Sequence, residues 1–318
     1  MNERELKKRS LLAEVACDYF ERGLDQNQIA ERLCLSRTRV SRLLKEAEEK
    51  GIVTIQVTIN YDNERHYELE ERLKSRFPIK HARVLNGRGR TPHIQRHVGR
   101  LAASYIMEVL KKDMVIGTSW GTTLSDTICG LSSSPHPVQI VQCMGSVPCQ
   151  SPDHTPQAIV ANFARLLHGQ GCFLNLPLYI EEDYVRTTMC NDLNNRKILN
   201  LGMFSDMILT SVNDLNSINT REFWKTYMTS PMFQELCEKG AVGAMFARFF
   251  DQNGREIDCD WNRRCVSISL PQVKNVPDAV LIASGTQKAS AVSCAIKSGI
   301  INTLITDGTT ASVILGLK

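Results

Sequence analysis

The chain has 318 residues, 42% of them apolar and 23% charged, with a net charge of +4. That length accommodates two domains of unequal size, and the composition is that of a globular chain able to bury a core. No run of about 18 apolar residues occurs, which excludes a membrane-spanning helix, and the charged start MNERELKKRS lacks the apolar stretch of a secretory signal. The expected compartment is the cytoplasm. Eleven cysteines are present, none in a C-x-x-C pair. Cys143/Cys149 and Cys259/Cys265 are too widely spaced for a zinc knuckle, so reduced, mostly core thiols are expected, with no metal and no cofactor.

In the first sixty residues, Leu11, Leu12, Val15, Ala16 and Tyr19 recur at helical spacing, and Gly23 is placed to end that helix. Asp25 with Gln28 makes a capping box for a second, short helix that turns Ile29, Ala30 and Leu33 inward and stops near Cys34. Ser36 caps a third helix whose buried stripe is Val40, Leu43, Leu44 and Ala47. Arg37, Thr38, Arg39, Ser41, Arg42 and Lys45 are left facing out. Two short helices joined by a tight turn, the second with Arg, Ser and Thr at its start, form a helix-turn-helix. Arginine can pair with guanine in the major groove, and hydroxyls such as that of Ser36 suit phosphates. An alternating strand from Ile52 to Ile59 reads as the wing of a winged helix. The alternative is a plain three-helix bundle with a solvated basic face. Residues 1–60 hold eleven basic and ten acidic side chains, so attraction to DNA must come from one face and not from bulk charge.

After Asn60 an amphipathic helix around Tyr61 to Phe77 leads into repeated strand–turn–helix units. Strands are expected at Ala82–Leu85, Met114–Gly117, Val138–Cys143, Cys172–Leu176, Met207–Thr210, Val280–Ala283 and Thr303–Thr306. Helices are expected between most of them, notably at Ile94–Leu110, Gln157–His168 and Thr286–Lys297. This alternation predicts an α/β domain, a parallel sheet with helices on both faces, and ligands at the carboxyl ends of its strands. Three such ends stand out. The run Thr118-Ser119-Trp120-Gly121-Thr122-Thr123 follows a strand and opens a helix, where backbone N–H groups and hydroxyls can hold a phosphate. Gly285 follows another strand, with Lys288 read as a solvent-facing point charge, and Gly145-Ser146 follows a third. Each loop can equally be a turn that only the fold requires. From Arg72 to Met107 there are nine Lys/Arg and no acid. Soluble surface is the first reading of that run; a cationic effector-side lid at Gly87–Arg90 and a second DNA-facing surface are the others.

The helix-turn-helix followed by TSWGTTL, GAVGAMFARFFDQNG and IASGTQKASAVSCAIKSGIINTLITD resembles the SorC family of sugar-responsive bacterial regulators, over nearly the whole chain. The resemblance implies a DNA-binding domain over residues 1–60. It also implies an effector-binding and oligomerisation domain over residues 61–318, similar to ribose-5-phosphate isomerase and glucosamine-6-phosphate deaminase. It implies operator DNA and a phosphorylated, sugar-like metabolite as partners, a homodimer or homotetramer, and a phosphate held by Gly121, Thr122, Thr123 and Lys288. Two departures stand out. Ser211 and Asn213 occupy positions where family members often carry glycine, and Ala244 stands where an aspartate is common.

Two other functions fit parts of the pattern. A sugar-phosphate isomerase or deaminase with a DNA-binding appendage needs a general acid and base near the loops. Asp206, Asp214 and Asp307 are available but form no recognisable catalytic set. A constitutive DNA binder with a decayed pocket accommodates Ser211, Asn213 and Ala244.

Overall fold

The computed structural model describes residues 3–20, 22–53, 64–86, 94–134, 137–147, 152–220 and 222–317. The chain divides into two compact units, residues 1–59 and 60–318.

The first unit contains helices α1 (Glu3–Phe20), α2 (Gln26–Arg32) and α3 (Arg37–Glu49). Gly23, with φ +69°, takes the left-handed turn after α1. The Asp25 carboxylate accepts from the N–H of Asn27 (2.7 Å) and Gln28 (2.9 Å), and Gln28 returns its Oε1 to the Asp25 N–H (2.8 Å). This capping box starts α2. Cys34, at φ 52°, turns the chain, and Ser36 caps α3 through the Arg39 N–H. Leu12, Val15, Ile29, Val40, Leu43 and Ala47 form the unit's core. Ile52 and Val53 pack against that core as turn residues. The rest of the expected wing, 54–59, lies outside the described residues. Asp18 is fully buried and is bonded by Arg22 (2.8 Å) and by Arg32 Nε (2.7 Å), which ties α1 to α2.

In the second unit α4 (Tyr67–Arg76), β1 (His81–Leu85), α5 (Ile94–Val109), β2 (Val115–Thr118), α6 (Thr122–Ile128), β3 (Gln139–Gln142), α7 (Pro156–Leu166) and β4 (Gln170–Cys172) come first. Then follow α8 (Asp183–Asn191), α9 (Leu193–Met203), β5 (Met207–Thr210), β6 (Asn213–Asp214), α10 (Leu215–Thr220), α11 (Glu222–Tyr227) and α12 (Ser230–Glu238). The chain closes with β7 (Ala241–Met245), β8 (Arg248–Asp251), α13 (Asp260–Arg264), α14 (Leu270–Val273), β9 (Asp278–Ile282), α15 (Ala289–Lys297), β10 (Thr303–Asp307) and α16 (Gly308–Leu315). Seven strands form a parallel sheet in the order β1-β10-β9-β5-β2-β3-β4.

Both faces of that sheet are covered, as the apolar runs require. Met207 and Leu209 of β5, Val280 and Ile282 of β9 and Ile305 of β10 pack under α5, α6 and α7. The alternate residues Ile208, Leu281 and Leu304 pack under α4, α15 and α16. The period of two is the pleat itself. A second sheet, β6-β7-β8, is antiparallel and has its own aromatic core of Trp224, Phe249 and Trp261. It interrupts the main sheet between β5 and β9. Sequence periodicity does not announce it, because β6 is two residues long. The strand expected at Cys172–Leu176 is displaced: β4 ends at Cys172, and Leu174 and Leu176 instead fill a small core with Ile180 and Val266.

Candidate functional site

The order of the main sheet fixes where a crevice can open. From β2 the chain steps outward to β3 and β4, then returns to place β5 on the other side of β2 and steps the opposite way to β9 and β10. Connections therefore diverge between β2 and β5, and a cleft forms at their carboxyl ends. A cavity of about 170 Å³ lies there. Trp120, Gly121, Thr122 and Thr123 line it from the end of β2, Ser211 and Asn213 from the end of β5, and Lys288 from the end of β9. His154 faces it from the loop before α7, and Phe223 and Trp224 face it from α11.

Local chemistry explains these placements. Gly121 has φ +106°, which a side chain rarely adopts, and this turn lets α6 begin at Thr122. Its N–H donates to the His154 carbonyl (3.3 Å), joining two walls of the cavity. Gln95 Nε2 donates to Thr122 Oγ1 (3.0 Å) and to Asp126 (2.8 Å), fixing the first turn of α6. Trp120 and Phe223 meet edge to face at 4.5 Å, and Trp224 packs behind them on Trp261 at 5.2 Å. Lys288 is only 6% exposed, although it ends a short 3-10 turn.

A larger cavity, about 570 Å³, opens at the opposite, amino ends of the strands and is lined by Lys80, Tyr105, Asp206 and Asp278 among others. Its polar groups hold strand starts together. Asp278 accepts from Tyr105 Oη (2.8 Å) and Thr303 Oγ1 (2.6 Å), and Asp206 accepts from the Val115 N–H (2.8 Å). Burial, with the Asp278 carboxylate beside it, pushes the Tyr105 phenol up. These groups are committed to the fold.

In the first unit, Ser36, Arg37, Thr38, Arg39, Ser41, Arg42 and Lys45 are all exposed on α3, opposite its buried stripe. Among the described residues Arg37, Arg39 and Arg42 make no ion pair, whereas Lys8, Arg22, Arg32 and Lys50 are paired with acids of the same unit. Three cations without an ion pair thus share the exposed face of α3.

A family model described as "Putative sugar-binding domain" matches residues 61–316. The chain belongs to the SorC family. It is 27% identical over 311 residues to the sorbitol operon regulator of Klebsiella pneumoniae, covering 96% of this chain and 97% of that one. It is also 27% identical to the transcriptional regulator LsrR of Enterobacter sp. (strain 638), covering 98% and 94%. The crystal structure of the full-length Klebsiella sorbitol operon regulator superposes with a TM-score of 0.73 at 25% identity, covering 96% of this chain and 98% of that one. A transcriptional regulator from Streptococcus pneumoniae TIGR4 gives 0.74 at 25% identity over 81% and 98%. The chain is a sugar-responsive transcriptional regulator and not an enzyme, as these relatives, matched over almost their whole length, are regulators.

Within this SorC-family frame the expected site residues separate. Trp120, Gly121, Thr122, Thr123 and Lys288 come together at the cavity. Thr118, Ser119, Gly145 and Gly285 do not line it. Thr118 and Ser119 are buried in the sheet, and the Ser119 N–H donates to the Leu209 carbonyl (3.0 Å). Gly145 lies where a Cβ would sit 2.4 Å from the Pro177 carbonyl, and its N–H donates to Val266 (2.8 Å), so its smallness serves a close backbone approach. The Gly285 N–H is taken by Asp307 (3.2 Å) and Thr310 (2.9 Å). Lys288 is buried and not solvent-facing, because the short turn carries it inward before α15 begins. His154, Phe223 and Trp224 had no sequence signal: they reach the cavity from a loop and from a helix of the inserted layer.

The basic segment is largely paired. Arg72, Lys74, Arg83 and Arg96 meet acids, and Arg76 and Lys80 bond backbone carbonyls. Residues 87–93, including Arg88 and Arg90, lie outside the described residues. Among the described residues no group of three or more His, Cys, Asp or Glu could hold a metal, and no helix is long and apolar enough to cross a membrane.

Proposed function

We propose that residues 1–60 bind operator DNA through a helix-turn-helix and that residues 61–318 bind a phosphorylated, sugar-like effector that alters operator affinity. In this reading α3 enters the major groove. Arg37, Arg39 and Arg42 meet base edges or phosphates, and Ser36, Thr38, Ser41 and Lys45 meet the backbone. The effector's phosphate rests against the hydroxyls of Thr122 and Thr123 and the ammonium of Lys288.

The observation that carries this reading is the cavity at the divergence of β2 and β5, with a buried lysine on its wall. A phosphate offers three acceptor oxygens to the hydroxyls and the ammonium gathered on that wall. The decisive test adds a panel of phosphorylated sugars, with their unphosphorylated counterparts, to the complex with operator DNA and reads release by electrophoretic mobility. Release by at least one phosphorylated compound and by none of the unphosphorylated ones is expected. Release by the unphosphorylated set alone would refute the phosphate site.

Self-association completes the proposal. Helix α8 buries none of its residues and leaves Tyr184, Val185 and Met189 exposed, with Leu193 following at the start of α9. Such an apolar stripe is suited to a second copy of the chain, and a dimer would present two α3 helices to a two-fold operator. The cytoplasm, where operator DNA resides, is the compartment this function requires.

A further inference from the structure

We propose that Trp224 sets the length of the effector: its indole is the shared wall that stops a phosphorylated compound from running on into a second cavity behind it. The inference rests on the phosphate assignment above and concerns what limits the ligand away from its phosphate.

The observation that carries it is that two cavities meet at one side chain. Besides the cavity at the divergence of β2 and β5, a second of about 170 Å³ lies against α11 and the start of α12. Ile218, Met228 and Phe233 give it an apolar wall, and Lys225, Thr229 and Gln234 give it a polar one. The first cavity has the same size, about 170 Å³. Among the described residues lining either one, Trp224 alone is common to both. Along α11, Phe223 lines the first cavity and Lys225 and Met228 line the second. The short helix thus passes from one cavity to the other across a single residue.

Trp224 is a fixed partition and not a gate. It is 1% exposed, and its ring meets those of Phe223 at 5.1 Å, Trp261 at 5.2 Å and Phe249 at 5.5 Å. Trp261 is anchored in turn, its Nε1 donating to the Ala247 carbonyl (2.7 Å). Turning the indole aside would vacate these contacts together, which a close-packed interior resists.

Size gives the partition its consequence. Pockets for drug-sized ligands run to about 300–1,000 Å³. Either cavity alone falls below that range, and the two joined enter it. With the indole in place the ligand is confined to a compact skeleton. With it removed, the same phosphate anchor serves a longer tail, laid along Ile218, Met228 and Phe233.

Calorimetric titration of the full chain with inorganic phosphate and with ethyl, butyl, hexyl and octyl phosphate tests this, because the tail lengthens while the anchor stays the same. Each methylene buried should tighten binding about fourfold. In wild type that gain should cease before hexyl phosphate. In Trp224→Leu it should continue, binding hexyl phosphate about tenfold tighter than wild type does, while inorganic phosphate and ethyl phosphate bind as before. Gln234 is exposed on α12 and lines the second cavity. Gln234→Trp added to Trp224→Leu refills that cavity and should restore the wild-type cut-off. Circular dichroism checks folding, and Trp224→Phe, a smaller reduction, should shift the cut-off in the same direction where Trp224→Leu does not fold. An unshifted cut-off, a gain that survives Gln234→Trp, or a gain that runs on to octyl phosphate in wild type overturns the partition and leaves the phosphate site standing. Failure of wild type to bind inorganic phosphate or any alkyl phosphate overturns the phosphate site, and the partition with it.

Discussion

Lys288 combines a charged end with a buried stem, so truncation and neutralisation are separable there. Lys288→Ala removes three methylenes and the ammonium from a packed position and should destabilise the large unit by about 1–3 kcal/mol. Lys288→Met keeps most of that volume without the charge. It should unfold close to wild type in urea, bind operator, and lose release by the effector; unchanged release would remove the lysine from the site. On α3, Arg42→Ala should cost about 1–3 kcal/mol on the cognate operator if the guanidinium pairs with a guanine. An equal loss on scrambled DNA would make it a phosphate contact. Cys143 gives a pH signature of its own. Full burial pushes its thiol from the ordinary 9.0 up to about 12. Between those values the unfolded chain gives up a proton that the folded chain keeps, so stability falls as pH rises through that window and is unaffected below it. Urea midpoints between pH 8 and 11 should decline less steeply in Cys143→Ala than in wild type.

Elements that announced themselves in the sequence are those whose burial matches a simple period. β5 was read with its observed ends, Met207 and Thr210, because both faces of a central parallel strand are apolar. The caps of α2 and α3 were legible because Asp25, Gln28 and Ser36 act within three residues of themselves. β4 was misplaced because Leu174, Leu176 and Leu178 alternate like a strand while being buried by loop packing. The inserted β6–β8 layer was missed because its stability comes from tertiary aromatic contacts, which leave no local pattern. Within that layer the β7–β8 turn places two residues with side chains, Phe246 (φ 52°) and Ala247 (φ 59°), in the left-handed region. Ala247→Gly should relieve about 1–2 kcal/mol of strain. Glycine also widens the unfolded ensemble by about 0.4–1 kcal/mol. A net stabilisation between about 0 and 1.6 kcal/mol is expected, and a lowered melting temperature would show that the turn is not strained.

Across the whole molecule, the sheet is closed late in the chain. Among the strands of the main sheet β1 pairs with β10 alone, His81 facing Thr303, so a strand near the start of the large unit waits for one near its end. Removing residues 303–318 takes out the strand between β1 and β9. It should abolish cooperative unfolding of the large unit, seen as loss of a urea transition; a retained transition would mean that the sheet closes without β10. The location of the cleft was readable in general terms from strand–helix alternation. Which loops reach it was not, since that depends on strand order, and strand order puts Gly145 against Pro177 and brings Ser211 and Asn213 to the cavity. The chain has three tryptophans, and all three lie in one aromatic cluster, Trp120 and Trp224 on the cavity wall and Trp261 packed on Trp224. The first unit has none. Light absorbed near 295 nm is therefore re-emitted from the neighbourhood of the cleft alone, so the native chain carries its own optical probe of effector occupancy, needing no label and blind to the helices that would face DNA.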